Sequence, residues 1–194
     1  MPSDIPRRIT RALRESGGFT LIEMIIVISI LSIMALIVAP RISNFMGRER
    51  GSFIILTSLI AKTFDDSFIR ERTNFLVVHL YERDLETAQF GEDIFSRENG
   101  VSVVLLDKDG RFVDSPNRLL KYQGFSASSF RIDEAVFPNR ETARRGNVFI
   151  PFHPGGFSDN VILHITVGGD QRWSVRIFKL KKEAAIIPDH VGFD

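Results

Sequence analysis

The chain has no cysteine in its 194 residues, which excludes a disulfide-stapled mini-protein, a thiolate zinc finger and redox chemistry through paired thiols. It also lacks a dominant charge. Lys and Arg number 25 against 24 Asp and Glu, a net +1, so nothing electrostatic points to nucleic acid. Internal repeats and low-complexity tracts are absent, and 44% hydrophobic residues argue against disorder. The length suits one ordinary domain with a real core. The mean hydropathy of +0.04 is high for a purely soluble domain, which implies that apolar residues are concentrated somewhere.

They are concentrated between Phe19 and Ala39, in FTLIEMIIVISILSIMALIVA, where only Thr20, Glu23, Ser29 and Ser32 are polar. As a helix this run is about 31 Å long at roughly 1.5 Å per residue, enough to cross a hydrocarbon core of roughly 30 Å once. A buried core helix apolar on every face needs a larger protein around it, and the apolar part of a cleavable secretory signal is shorter. The preceding MPSDIPRRITRALRESGG carries Arg7, Arg8, Arg11 and Arg14 against Asp4 and Glu15. Such a basic leader stays in the cytoplasm and places the remainder outside, although Arg41, Arg48 and Arg50 follow the span closely and weaken the bias. Glu23 costs about 2.5–3.5 kcal/mol inside a span on insertion scales. Either it snorkels to the headgroups, or it has a cationic partner. A cut before Phe19 creates such a cation, an α-amine four residues from Glu23.

The stretch GGFTLIEMIIVISILSIMALIVAPR resembles the N-terminus of type IV prepilins and of type II secretion pseudopilins. The resemblance implies that Gly18 ends the leader and that Phe19 is the new, N-methylated first residue. It implies that Glu23 pairs with a neighbouring subunit's amine during assembly, and that Pro40 marks the outer end of the apolar helix. It further implies cleavage and methylation by a prepilin peptidase.

Beyond the span, Phe53, Leu56, Ile60, Phe64 and Phe68 recur at helical intervals, with Lys62, Asp65, Asp66 and Arg70 on the opposite side. This amphipathic helix continues from the membrane, with a kink expected at Pro40 and weak points at Gly47 and Gly51. After Asn74 the period becomes that of strands. FLVVHLYE from Phe75 to Glu82 reads as one strand, and VSVVLLDKDGRFVD as two strands joined by the turn Asp107–Gly110. VILHITV, GGDQ and RWSVRIFKL form the clearest hairpin. Residues 85–99 and 126–147 are rich in charge and in Ser, Asn and Arg, and read as outward loops able to carry partner specificity. The resulting plan is a leader at 1–18, a transmembrane helix at 19–39, its amphipathic continuation at 40–74 and a β-rich head at 75–194. The fold class is α+β, a long helix packed on antiparallel sheet, which the resemblance identifies as pilin-like.

Catalytic chemistry has little support. His79, His153, His164 and His190 are scattered without metal-pair spacing, and His164 reads as a surface or half-buried strand residue. Asp107–Gly110 lacks the further ligands of a calcium loop, and the C-terminal tail offers only Asp189 and Asp194. Gly155–Gly156 and Gly168–Gly169 read as turns, without the setting of a phosphate loop. No nucleophile-elbow motif is present. The expectation is therefore no enzyme, no metal and no cofactor.

The absence of a cysteine pair and the Pro/Gly-rich turn before the closing hairpin are more similar to H-type minor pseudopilins and their FimT-like relatives than to major pilins. That resemblance implies an inner-membrane, single-pass subunit with its head in the periplasm, working in export of folded proteins by a type II secretion system. Its implied partners are minor and major pseudopilins, the prepilin peptidase, the inner-membrane assembly platform and, indirectly, a cytoplasmic motor ATPase. A minor type IV pilin, for pilus initiation, adhesion or DNA uptake, is the alternative. A membrane-tethered periplasmic enzyme or binding domain is a third possibility.

Overall fold

The computed structural model describes residues 21–84 and 93–193, with the side chains of residues 35–49 outside that description. The chain divides into two compact units, Met1–Ile42 and Ser43–Asp194. One helix, α1 (Leu21–Ile69), contributes to both, and its helical backbone runs through Pro40, Gly47 and Gly51 without a break.

In the first unit every described side chain from Leu21 to Met34 is exposed. The Ser29 and Ser32 hydroxyls donate back to the carbonyls of Ile25 and Ile28, each at 2.7 Å, so these polar interruptions are satisfied within the helix. Among the described residues no helix is long and apolar enough to cross a membrane. The described part of the apolar run, 21–34, is about 21 Å long at 1.5 Å per residue. The rest of the expected span, 19–20 and the side chains of 35–39, lies outside the described residues.

The second unit is built on the other half of α1. Phe53, Leu56, Leu59 and Ile60, spaced three and four apart, are buried on one face. Glu71, in the left-handed region at φ 49°, turns the chain out of the helix, and the Arg72 N–H donates to the Ser67 carbonyl across the end. The helix therefore stops at Ile69, short of the expected boundary at residue 74.

Among the described residues eleven strands form two antiparallel sheets. They are β1 (Asn74–His79), β2 (Gly100–Leu106), β3 (Phe112–Asp114), β4 (Gln123–Gly124), β5 (Phe130–Val136), β6 (Thr142–Ala143), β7 (Asn147–His153), β8 (Phe157–Ser158), β9 (Val161–Val167), β10 (Gln171–Ile177) and β11 (Ala185–Pro188). Sheet A runs β3-β2-β1-β7-β8, with β4 also on β2; sheet B runs β11-β10-β9-β5-β6. The core joins the buried helix face to alternate residues of both sheets, among them Leu76, Val78 and Ile150 of sheet A and Ile132, Leu163 and Ile165 of sheet B. Phe53 meets Phe130 and Trp173 edge-on, and Phe64 meets Phe152. A second apolar cluster, with Val77 and Val104 beneath Phe75, Phe112 and Phe149, occupies the other face of sheet A.

Several expectations hold. The Asp107–Gly110 turn joins β2 to β3, with Asp107 Oδ1 accepting from the Asp109 and Arg111 amides. The hairpin of β9 and β10 is in the expected place, but Gln171 already pairs with Val167, so the turn is Gly168–Asp170. Both glycines there have positive φ.

Two expectations need correction. Residues 126–147 are not all loop: β5 and β6 lie within them, and β5 pairs with β9 inside sheet B. A register shift between Ile132 and Glu134 breaks the alternation that marks a strand, while Phe130, Ile132 and Ala135 still point into the core. On α1, Phe68 is 61% exposed although its spacing placed it on the buried face, and Asp66, placed on the solvent face, is 7% exposed. Of the other segment read as loop, 85–92 lies outside the described residues, and Ile94 and Asn99 are buried.

Candidate functional site

Glu23 lies on α1, two residues after the first described position. Gly18 and Phe19, the residues of the expected cut, lie outside the described residues. Pro40 lies within the backbone of α1, with its side chain outside the description. The reading of these four residues therefore rests on the linear motif.

The head holds three polar clusters that the sequence did not mark. The first surrounds Asp66 at the end of α1. Its Oδ1 accepts from Arg70 Nε at 2.9 Å and Asn117 Nδ2 at 3.1 Å, and its Oδ2 from Arg72 Nη2 at 3.2 Å and Asn74 Nδ2 at 3.0 Å. Burial pushes the carboxyl up, but these hydrogen bonds outweigh it and hold Asp66 below the usual carboxylate value. The cluster ties the helix end to the start of β1 and to the short 3₁₀ turn Arg118–Leu120 that Asn117 caps.

The second cluster is a relay on sheet A. The Ser102 hydroxyl donates to His79 Nε2 at 2.8 Å, and His79 Nδ1 donates to Asn147 Oδ1 at 2.5 Å. The order of groups resembles a nucleophile, base and orienting residue. However, Ser102 and His79 are both fully buried, so no substrate reaches the hydroxyl in this arrangement. Burial pushes the His79 imidazole down to about 4, against a smaller opposing effect of the Asn147 hydrogen bond. It is neutral at neutral pH, and the relay serves to satisfy buried polar groups.

The third cluster joins residues that read as scattered. His164 is 7% exposed rather than at the surface, and the His190 ring stacks on it, 4.3 Å between centroids and 3° from parallel. In-plane nitrogens of parallel stacked rings do not converge on one metal ion. Among the described residues no group of three or more His, Asp or Glu side chains is placed to hold a metal. Asp189 Oδ1 accepts from the His190 amide, and Asp194 lies outside the described residues. His153 stacks on Phe157.

Residues 13–39 match the family model of the prokaryotic N-terminal methylation motif. They include Gly18, Phe19 and Glu23. No curated protein matches in sequence. Among solved structures, the minor pseudopilin EpsH from the type 2 secretion system of Vibrio cholerae is similar in one structure at a TM-score of 0.48 and 11% identity, over 73% of this chain and 97% of that one. A crystal structure of the same Vibrio cholerae protein gives 0.43 and 11%, over 75% and 98%. Likeness of that degree speaks to neither function nor partners.

Proposed function

We propose that the chain is a minor pseudopilin of a type II protein secretion system. A prepilin peptidase cuts it between Gly18 and Phe19 and methylates the new amine. Residues 19–39 then anchor it once in the inner membrane of a bacterium with two membranes, with the head in the periplasm. There it joins a short pseudopilus with other minor and major pseudopilins on the membrane assembly platform. The observation that carries this reading is the methylation motif at residues 13–39, within which the described helical residues 21–34 are apolar but for Glu23, Ser29 and Ser32, and exposed. A helix of that composition is suited to lipid or to a bundle of like helices.

Glu23 is the assembly residue in this proposal. A carboxylate paired with a neighbour's amine in an apolar bundle adds little net stability, but a subunit out of register leaves one charge unpaired, which is costly. The pair therefore selects register. Pro40 belongs to the outer end of the anchor. The role is structural, and the head is not an enzyme in this reading.

Co-expression with a prepilin peptidase tests the proposal by mass. The wild-type chain loses residues 1–18 and gains a methyl group, and Gly18→Glu blocks both. An unchanged wild-type mass refutes the reading. Glu23→Val leaves membrane insertion intact and impairs incorporation into the filament; assembly at the wild-type level refutes the amine pairing.

A further inference from the structure

His164 lies beneath the C-terminal segment 189–193, which follows β11, carries the stacked His190 and returns over the outward face of sheet B as a strap. Ser174 Oγ donates to the Asp189 carbonyl at 2.8 Å and accepts from the Val191 amide at 3.1 Å. The Asp189 amide donates to the Arg172 carbonyl, and the Arg176 guanidinium lies over the Phe193 ring at 5.1 Å.

His164 has both ring nitrogens engaged. Nδ1 is 2.7 Å from Glu134 Oε1, and Nε2 is 2.8 Å from the Val191 carbonyl oxygen. Both partners are acceptors. A neutral imidazole has one N–H, so one of its nitrogens would face an oxygen lone pair to lone pair; only the imidazolium donates to both. Glu134 is the stronger acceptor. Burial pushes its carboxyl up, but hydrogen bonds from His164 and Arg144 outweigh that and hold it below its usual value, so it is ionised at neutral pH. Arg144 Nε fixes it at 2.9 Å.

The other charged groups around His164 are accounted for. From β5, Asp133 bonds Arg131 and the Thr166 hydroxyl. From β10, Arg172 and Arg176 flank Ser174, which pairs with His164 across the strands. From the strap come Asp189 and His190. The His190 ring lies parallel to His164 at 4.3 Å, a separation at which two positive rings repel.

We propose that protonated His164 is a latch that fastens the C-terminal strap to sheet B, and that loss of its proton releases the strap at Val191. On deprotonation the remaining N–H stays on Nδ1 with Glu134. Nε2 then faces the Val191 oxygen without a hydrogen, and the segment from Val191 to Phe193 lifts while Ser174 retains Asp189. The proton leaves to solvent, and no covalent bond other than N–H changes. The strap is thus fastened in acid and loose in base.

The test uses the full chain in detergent micelles. Imidazole ¹⁵N shifts of His164 are followed from pH 5 to 8.5, together with amide hydrogen exchange of 190–193 corrected for the intrinsic pH dependence. At pH 5 both His164 nitrogens read as protonated. As the Nε2 signal shifts to the unprotonated form, corrected exchange of the strap rises about tenfold with the same midpoint, as expected for losing a hydrogen bond from a charged donor. His164→Gln abolishes the pH dependence, and His190→Ala retains it. A single protonated nitrogen at pH 5, or strap exchange independent of pH in wild type, overturns the latch. A pH-dependent strap in His164→Gln does the same. If His164→Gln does not fold, the wild-type shifts and exchange decide alone.

Discussion

His79 is a neutral imidazole sealed inside sheet A, and its environment sets how the head responds to acid. In the unfolded chain it titrates near 6.5, and in the folded head only at about 4. Between those values the unfolded chain binds a proton that the folded one refuses. Stability is therefore full above about pH 6.5 and falls with acidification until the folded group titrates, at up to about 1.4 kcal/mol per pH unit. From pH 7 to pH 5 the loss is about 2 kcal/mol, or roughly 4–8 °C in Tm for a domain of this size. Asp66, Asp114 and Glu134 are held below their usual carboxylate values, so their contributions are lost at lower pH and leave this window to histidine. The His164 latch acts in the opposite sense, so the comparison must be between variants. His79→Gln keeps a donor toward Asn147 and an acceptor toward Ser102 but cannot titrate. Urea unfolding followed by emission of Trp173, the sole tryptophan, which packs against Phe53, gives the readout at both pH values. Wild type should lose about 2 kcal/mol more than His79→Gln on going from pH 7 to pH 5. Equal losses in the two proteins would refute the assignment of a neutral, desolvated His79.

Other expectations follow from single residues. Asn99 donates to the Phe125 and Phe130 carbonyls and accepts from the Ile132 amide, linking the start of β2 to β5; Asn99→Ala strands these buried groups and costs about 3 kcal/mol in urea unfolding. Leu56→Ala opens a cavity under the helix and costs about 2–5 kcal/mol by the same measure. Asp66→Leu leaves Arg72, Asn74 and Asn117 without their acceptor and costs about 3 kcal/mol, with faster amide exchange at the helix end near Ile69. A chain beginning at Gly51 retains the buried helix face and both sheets and stays soluble and monomeric by light scattering; aggregation would show that residues before Gly51 belong to the core.

What could be read from the sequence was what repeats locally. Phe53, Leu56 and Ile60 mark the buried helix face by spacing alone, and the β9–β10 hairpin announces itself by alternation around two glycines. β5 stayed hidden because its irregularity at Ile132–Glu134 shifts the phase amid Arg131, Asp133 and Glu134, so a central strand reads as polar loop. Asp66 and Phe68 exchanged places for a different reason. The partners that make burial of Asp66 favourable, Asn74 and Asn117, arrive from distant parts of the chain, and no window around the helix contains them. The His164 cluster is similarly invisible, since one of its two acceptors is a backbone carbonyl. The processing motif is the converse case, written as a linear string of residues and legible without any fold.

The strand order also fixes when the head can close during synthesis. β1 leaves the ribosome early but pairs on one side with β7, some seventy residues later, and Phe53 gains its contacts with Phe130 and Trp173 only when β5 and β10 exist. Contacts so far apart in sequence form slowly and leave apolar surface open meanwhile. If the first unit is threaded into a bilayer as proposed, tethering precedes folding, and the open helix face waits beside a lipid surface able to bind it. The crossed order of β1 and β7 thus sets a kinetic demand, a holding factor or a fast closing of sheet B, wherever the head folds.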